Sequence, residues 1–390
     1  MNNEILFEAR NHVGFVTLNR PSALNALSYS MVLEMHGRLR EWAQDSSIYA
    51  VVVRGAGGKA FCAGGDVRAV HESFASSGSL HDEFFALEYR LDYLIHRYPK
   101  PYVALMDGIV MGGGIGIAQG ACLRLVTDRT RIAMPEVGIG LFPDVGASYF
   151  LSRLPGALGA YLALSGTSIR AADALYAGLA DAYLPHEALE GFEAALGTLQ
   201  WSRDHFADVR SAVRTFGTVS LPQPTLAALR PVSDAQFSRS DIHAIVESLK
   251  AESRPQYGEW ARQTLGMMAT RSPLMMAVTA RQLQRGRAMD LADCFRMELG
   301  MVRHCFQQGD FMEGVRALLI DKDNVPRWNP ARIEDVTEEM IAAFFLDTWT
   351  DTTHPLATLE AEGRVDNPAT NLGDQYGRHD ILDIGAAARA

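Results

Sequence analysis

Short apolar runs set between turn formers organise the first half of the chain. Residues 13–18 (VGFVTL), 49–54 (YAVVVR), 102–106 (YVALM) and 123–127 (LRLVT) are rich in β-branched and other apolar residues and are bounded by Gly, Pro, Asn or Asp. Each predicts a strand. The runs are apolar on both faces, so a sheet covered on both sides is expected. Between the first two, Met31, Val32, Met35, Leu39 and Trp42 recur at helical spacing behind Ser28, a residue suited to capping a helix N-terminus. A second helix is expected over 80–97.

Strands alternating with helices predict an α/β unit over residues 1–190. Beyond it the pattern changes to long helical stretches at 256–270, 273–286 and 288–307 with no strand among them, which marks residues 191–350 as a helical C-terminal region. Residues 351–390 are rich in Asp, Thr, Asn and Gly and lack apolar periodicity, so a weakly ordered tail is expected there.

Composition removes several function classes. The 390 residues are 48% hydrophobic and 21% charged, ordinary for a globular protein with a sizeable core. Lys+Arg 36 against Asp+Glu 46 gives a net charge of −10, which argues against a nucleic-acid partner. The opening MNNEILFEAR has no apolar leader segment, and no run of about 18 uncharged apolar residues occurs, so neither secretion nor a membrane is expected. Cys62, Cys122, Cys294 and Cys305 form no C-x-x-C pair, which fits neither a disulfide framework nor a zinc knuckle. A cytoplasmic protein without a metal is expected.

Two glycine clusters follow strands: GAGGKAFCAGGD (55–66) and GIVMGGGIG (108–116). Neither fits G-x-G-x-x-G, and Lys59 is followed by Ala60 where a P-loop needs Ser or Thr. Glycines at strand-to-helix turns also let backbone N–H groups approach a ligand oxygen, so two such turns could form an oxyanion hole. The competing reading is tight turns or close helix packing. No G-x-S-x-G and no H-E-x-x-H occurs, and Cys62, between Phe61 and Ala63, reads as a small core residue.

The carboxylates that could carry chemistry lie in MPEVGIGLFPD (134–144). Glu136 and Asp144 each follow a proline within an apolar stretch, where burial would raise their pKa values and proximity would separate them. Asp144 could instead cap a following helix. Glu88 falls on the apolar stripe of the 80–97 helix, four residues after Phe84, and needs either an arginine partner or a purpose.

Together TLNRPSALNALS (17–28), GKAFCAGGD (58–66), DGIVMGGGIG (107–116) and MPEVGIGLFPDVGASYFLSRLPG (134–156) resemble the crotonase (enoyl-CoA hydratase/isomerase) superfamily. EGVRALLIDKD (313–323) and PRWNP (326–330) extend the likeness to its 3-hydroxyisobutyryl-CoA hydrolase branch, over residues 5–345. The resemblance implies a crotonase-like ββα superhelix whose helical C-terminal region covers the site. It implies hydrolysis of a short 3-hydroxyacyl-CoA, as in valine breakdown, with no cofactor because coenzyme A belongs to the substrate. By motif match, the amides of Gly65 and Gly113 form the oxyanion hole, Glu136 and Asp144 are the catalytic carboxylates, and Glu88 contacts substrate. Ala63, Gly64, Gly65 and Asp66 would line the pantetheine path, with Lys59 near the phosphates. Gly116 stands where hydratases of the superfamily carry a catalytic Glu. A hydratase or isomerase, and a non-catalytic acyl-CoA-binding protein, are the alternative readings. Which carboxylate attacks, which acyl group is taken, and whether the chain forms a homo-oligomer stay open.

Overall fold

Alternate residues of the central strands enter two different cores. Phe15, Val52, Val103 and Leu125 join one apolar cluster, while Val16, Val53, Ala104 and Val126 join the other, as the period-two alternation of strand side chains requires. The computed structural model describes residues 3–217, 221–239 and 241–362. Its larger sheet has the spatial order β1 (Ile5–Arg10), β2 (Val13–Leu18), β3 (Ala50–Gly55), β5 (Tyr102–Met106), β7 (Leu123–Val126), β9 (Ala182–Tyr183). Strands β1 and β2 pair antiparallel through a turn at Asn11 and His12, both at positive φ, and all later pairs are parallel. A second, parallel sheet joins β4 (Ala60–Cys62), β6 (Ile109–Met111) and β8 (Arg131–Ala133).

The four strands expected from apolar runs are present. Helix α1 (Tyr29–Gln44) starts at Ser28, whose side chain accepts from Met31 N. Trp42 lies so close to β2 that a Cβ on Gly14 would meet its ring at 2.5 Å. Helices α2 (Val67–Ala75), α3 (Leu80–His96) and α4 (Gly113–Gln119) follow, and α5 (Ala147–Phe150), α6 (Leu158–Ser165) and α7 (Ala171–Ala177) precede β9. α3 is buried on most sides because it packs against α1, α2, α4 and, from the second half, α14 (Leu291–Gln308).

The second half is helical as expected. α8 (Leu189–Leu196) and α9 (His205–Phe216) cover one face of the large sheet with Phe192, Leu196, Val209 and Val213. α10 (Thr225–Phe237), α11 (Ile242–Lys250), α12 (Gly258–Met268), α13 (Pro273–Gly286), α14, α15 (Phe311–Val315) and α16 (Glu338–Ala343) extend the other core, which runs continuously from Ile5 to Leu359. The expected weak order from residue 351 is corrected for its first part. Leu356 and Leu359 are buried, and α17 (Leu359–Glu362) is tied down by ion pairs from Arg90 to Glu362 and from Arg296 to Glu360. Buried leucines, the two ion pairs and hydrogen bonds from Arg90 to Pro355 O and from Arg296 to Leu356 O dock a segment with no visible periodicity. Residues 363–390 of that tail lie outside the described residues.

Candidate active site

Neighbouring strands β4 and β6 end side by side, and each runs straight into a glycine turn. Gly64 (φ 113°) and Gly112 (φ 49°) occupy backbone conformations that side chains disfavour. A Cβ on Gly64 would sit 3.8 Å from Gly113 N, and one on Gly113 would sit 3.3 Å from Gly65 N and collide with Glu88 Oε1. The Gly65 and Gly113 amide nitrogens therefore lie close together, with Glu88 beside them. Gly113 is the first residue of α4, where an N–H has no intrahelical acceptor. The first turn is pinned by Leu27, whose N–H donates to Gly64 O at 2.8 Å and whose carbonyl accepts from Asp66 N at 2.9 Å.

The rest of that turn is placed less uniformly. Ala63 N donates to Leu24 O, which fixes the Ala63–Gly64 backbone next to the Gly112 turn. Asp66 caps α2 by accepting from Ala69 N and pairs with Arg20 at 2.8 Å. Its carboxylate is thus committed to holding the turn. Lys59 is exposed at the start of β4, and its backbone carbonyl accepts from Ile109 N.

The two carboxyls of the 134–144 segment are both buried, and the charge of Asp144 acts on Glu136. Glu136 opens a 3-10 turn, 5% exposed, with Oε1 3.2 Å from where a Gly112 Cβ would stand and Oε2 without a hydrogen-bond partner. Asp144 is 4% exposed and its Oδ2 accepts from Tyr89 OH at 2.7 Å. The capping alternative for Asp144 is corrected: Gly146 is the N-cap of α5, and the Asp144 side chain turns away to Tyr89. Nor, among the described residues, does an arginine pair with Glu88, the partner that sequence allowed. Glu88 is 2% exposed, and its Oε1 has no hydrogen-bond partner.

Burial dominates the electrostatics. Desolvation, then the Asp144 charge, pushes Glu136 and Glu88 well above the usual carboxylate range. Desolvation also raises Asp144, to about 6, where the Tyr89 hydrogen bond restrains the shift. Among the described residues, the buried arginine Arg124 is already held by Asp181 and offers these acids no countercharge. Burial raises the Cys62 thiol to about 12, which supports its reading as a core residue.

Sequence reasoning missed the groups that hold Asp144 in place. Glu298 on α14 accepts from Gly146 N at 2.7 Å and Ser148 N at 2.8 Å. Gln282 on α13 donates to Pro143 O at 2.6 Å and to Ser148 Oγ at 2.8 Å. Between these clamps Val145 has φ 54°, a strained conformation for a β-branched residue that the surrounding bonds must enforce. Asp92, one turn beyond Glu88, was also missed, although its spacing placed it on the same stripe.

This arrangement can polarise a carbonyl, deliver an oxygen to it and move protons. Residues 13–345 match the family model described as enoyl-CoA hydratase/isomerase. The chain belongs to the enoyl-CoA hydratase/isomerase family. It is 40% identical to a Xenopus tropicalis protein named 3-hydroxyisobutyryl-CoA hydrolase, mitochondrial, over 88% of each chain. It is 38% identical to the Homo sapiens protein of that name over 86% of each. A solved structure named carnitinyl-CoA dehydratase from Mycobacterium thermoresistibile superposes with TM-score 0.82 at 39% identity, covering 89% of this chain and 97% of that one. An enoyl-CoA hydratase structure from Rhodobacter sphaeroides gives TM-score 0.81 at 34% identity, covering 88% and 98%. The crotonase-like α/β fold expected from the glycine motifs is the observed one. In this family member, Gly116 has no room for a side chain: a Cβ there would lie 2.6 Å from Asp92 Oδ2 and 2.8 Å from Val145 Cβ.

Proposed function

We propose that the chain hydrolyses a short 3-hydroxyacyl-CoA thioester, 3-hydroxyisobutyryl-CoA, to the free acid and coenzyme A, a step that suits valine breakdown. The observation that carries this reading is the Pro143–Asp144 loop. Support comes from Asp144, a second buried carboxyl that accepts from Tyr89 OH and whose charge acts on Glu136, and from Gly116, where a Cβ would press on Asp92 and Val145 and a carboxylate side chain finds no room. The names of the hydrolase relatives support the same substrate.

The roles follow from position and charge. The Gly65 and Gly113 amides receive the thioester oxygen as it becomes an oxyanion, a contribution of about 10²–10³ in kcat per donor. Glu136, beside Gly112, attacks the carbonyl or activates the water that does. Asp144, the less strongly raised of the two and held by Tyr89, exchanges protons with it as the thiolate leaves. Glu88, at the same glycine turn, grips the substrate hydroxyl. Coenzyme A arrives with the substrate and leaves as the thiol.

The test is release of free thiol across a panel of acyl-CoAs. CoA release from 3-hydroxyisobutyryl-CoA and 3-hydroxypropionyl-CoA is the expected result. No thiol above background, with clear hydration of crotonyl-CoA, would favour the second reading, a hydratase or dehydratase, which the names of the two solved structures suggest.

A further inference from the structure

Three ionisable side chains stand in file along α3. Glu88, Asp92 and His96 recur every four residues, and each faces a glycine of α4. Glu88 Oε1 occupies the place of a Cβ on Gly113, and Asp92 Oδ2 is 2.6 Å from a Cβ on Gly116. At the far end, a Cβ on Gly120, the residue that ends α4, would sit 2.9 Å from both Cα and Cδ2 of His96. The glycines draw the two helices together along this line, which runs from the Gly65 and Gly113 amides to the C-terminal end of α3. His96 is half-buried there and Arg97, the next residue, is exposed.

Asp92 is the residue the reaction as described leaves unused. It is fully buried, and neither carboxyl oxygen has a hydrogen-bond partner among the described residues. Apart from His96, one turn further along the same helix, the charged and titratable groups that bear on it are Glu88 on its own helix, Asp144 from the active-site loop, Glu298 from α14, Tyr102 from β5 and Cys62 from β4. None of these is a base that would hold it ionised, and packing alone would be served better by an apolar side chain. A carboxyl can take a proton on one oxygen and release it from the other, and side chains four apart on a helix have Cβ atoms about 6 Å from each other.

Thioester hydrolysis creates a proton that must leave a closed site. The carbon–sulfur bond breaks and a carbon–oxygen bond forms. Water supplies one proton to the departing sulfur, and its other proton is freed when the product acid ionises at neutral pH. Glu136 and Asp144 are both buried, so a proton taken up there needs a path to water. We propose that Glu88, Asp92 and His96 form a proton relay carrying it from the carboxyl pair to solvent at the end of α3. This rests on the thioesterase reading above. Glu88 borders both the pair and Asp92, Asp92 is the interior step, and His96 delivers to water.

The experiment compares the full-length protein with Asp92→Asn and His96→Gln, following CoA release from 3-hydroxyisobutyryl-CoA over increasing formate or imidazole at constant ionic strength. Both variants should lower kcat, Asp92→Asn by about 10²-fold, the lower end of proton-transfer contributions. KM should stay unchanged, kcat should recover as the small acid or base is raised, and the solvent deuterium isotope effect on kcat should exceed that of the unaltered protein. The unfolding midpoint of Asp92→Asn should hold or rise. Unaltered kcat in Asp92→Asn, or a loss indifferent to buffer and isotope, would overturn the relay while leaving hydrolysis standing. Absence of thiol release from the unaltered protein would overturn both.

Discussion

Phe15, Val52, Leu105 and Leu125 point to one face of the large sheet and meet Phe192, Leu196, Val209 and Val213 of α8 and α9. Val16, Val53, Ala104 and Met106 point to the other, toward a layer in which Glu88, Asp92, Glu136, Asp144 and Glu298 are buried with no cationic partner among the described residues. The first face is the cheaper structure, since burying carboxyls without countercharge is unfavourable. The same strands thus support one layer that contributes stability and another that gives some up to place reactive groups, the trade expected at functional sites.

The sharpest way to break this contrast is to neutralise the two central acids. Glu136→Gln and Asp144→Asn should each lower kcat by about 10²–10⁴, the scale of lost proton-transfer catalysis, while CoA-product inhibition stays nearly unchanged. Their unfolding midpoints should hold or rise, because an amide avoids the penalty for a buried charge. A near-normal kcat together with lost stability would place these acids among structural groups.

The opposite result is expected on the other face. Phe192 is fully buried between α8 and the sheet, and Phe192→Ala should lower stability by about 3–5 kcal/mol. Denaturant unfolding measures that loss. The kcat per folded molecule should remain that of the unaltered protein, since the cluster lies on the face of the sheet opposite the one that carries Phe84, Tyr89 and Val137. A fall in kcat would show that the two layers are mechanically coupled.

What the sequence reveals divides along the same line. The outer layer and the long helices are legible because β-branched runs and helical spacing repeat over enough residues to register, and Ser28 marks the start of α1. Strands β4, β6 and β8 are not, because three residues carry no period and two of them run directly into glycine turns. Glu88, Glu136 and Asp144 stand out as acids in apolar stretches. Glu298 and Gln282 do not, because their partners lie 134 to 152 positions away and only tertiary folding supplies them. Asp92 carried the same local signal as Glu88, four residues on, and became informative only when its oxygens proved unpartnered.

Glu298 offers a finer test, because it belongs to the helical half yet holds the loop that bears Asp144. Glu298→Gln replaces one acceptor with a donor facing an N–H, and the disturbed loop should lower kcat roughly tenfold, the worth of about one hydrogen bond. In an Asp144→Asn background the same change should cause no further loss of kcat, since both act through one group. A full additional loss would show that Glu298 acts on the site by another route.

The smallest effect expected is a drift of stability with pH. Folding raises Glu298 to about 8, chiefly by desolvation, and holds Glu136, Glu88 and Asp92 well above the usual carboxylate range. The native chain then keeps protons that the unfolded chain has released, so stability falls as pH rises from the unfolded values toward the folded ones. His36, His205 and His354 act in the opposite sense below their ordinary 6.5, because burial lowers them and folding there excludes a proton. The interval from 6.5 to about 8 is therefore where the buried acids act alone, and the unfolding midpoint should decline across it. Glu298→Gln should flatten that decline by removing the group whose shift ends there, while Phe192→Ala should lower the whole curve without changing its slope. A midpoint that rises between these values in the unaltered protein would mean that the inner acids are ionised and paired, and the contrast between the two faces would lose its electrostatic basis.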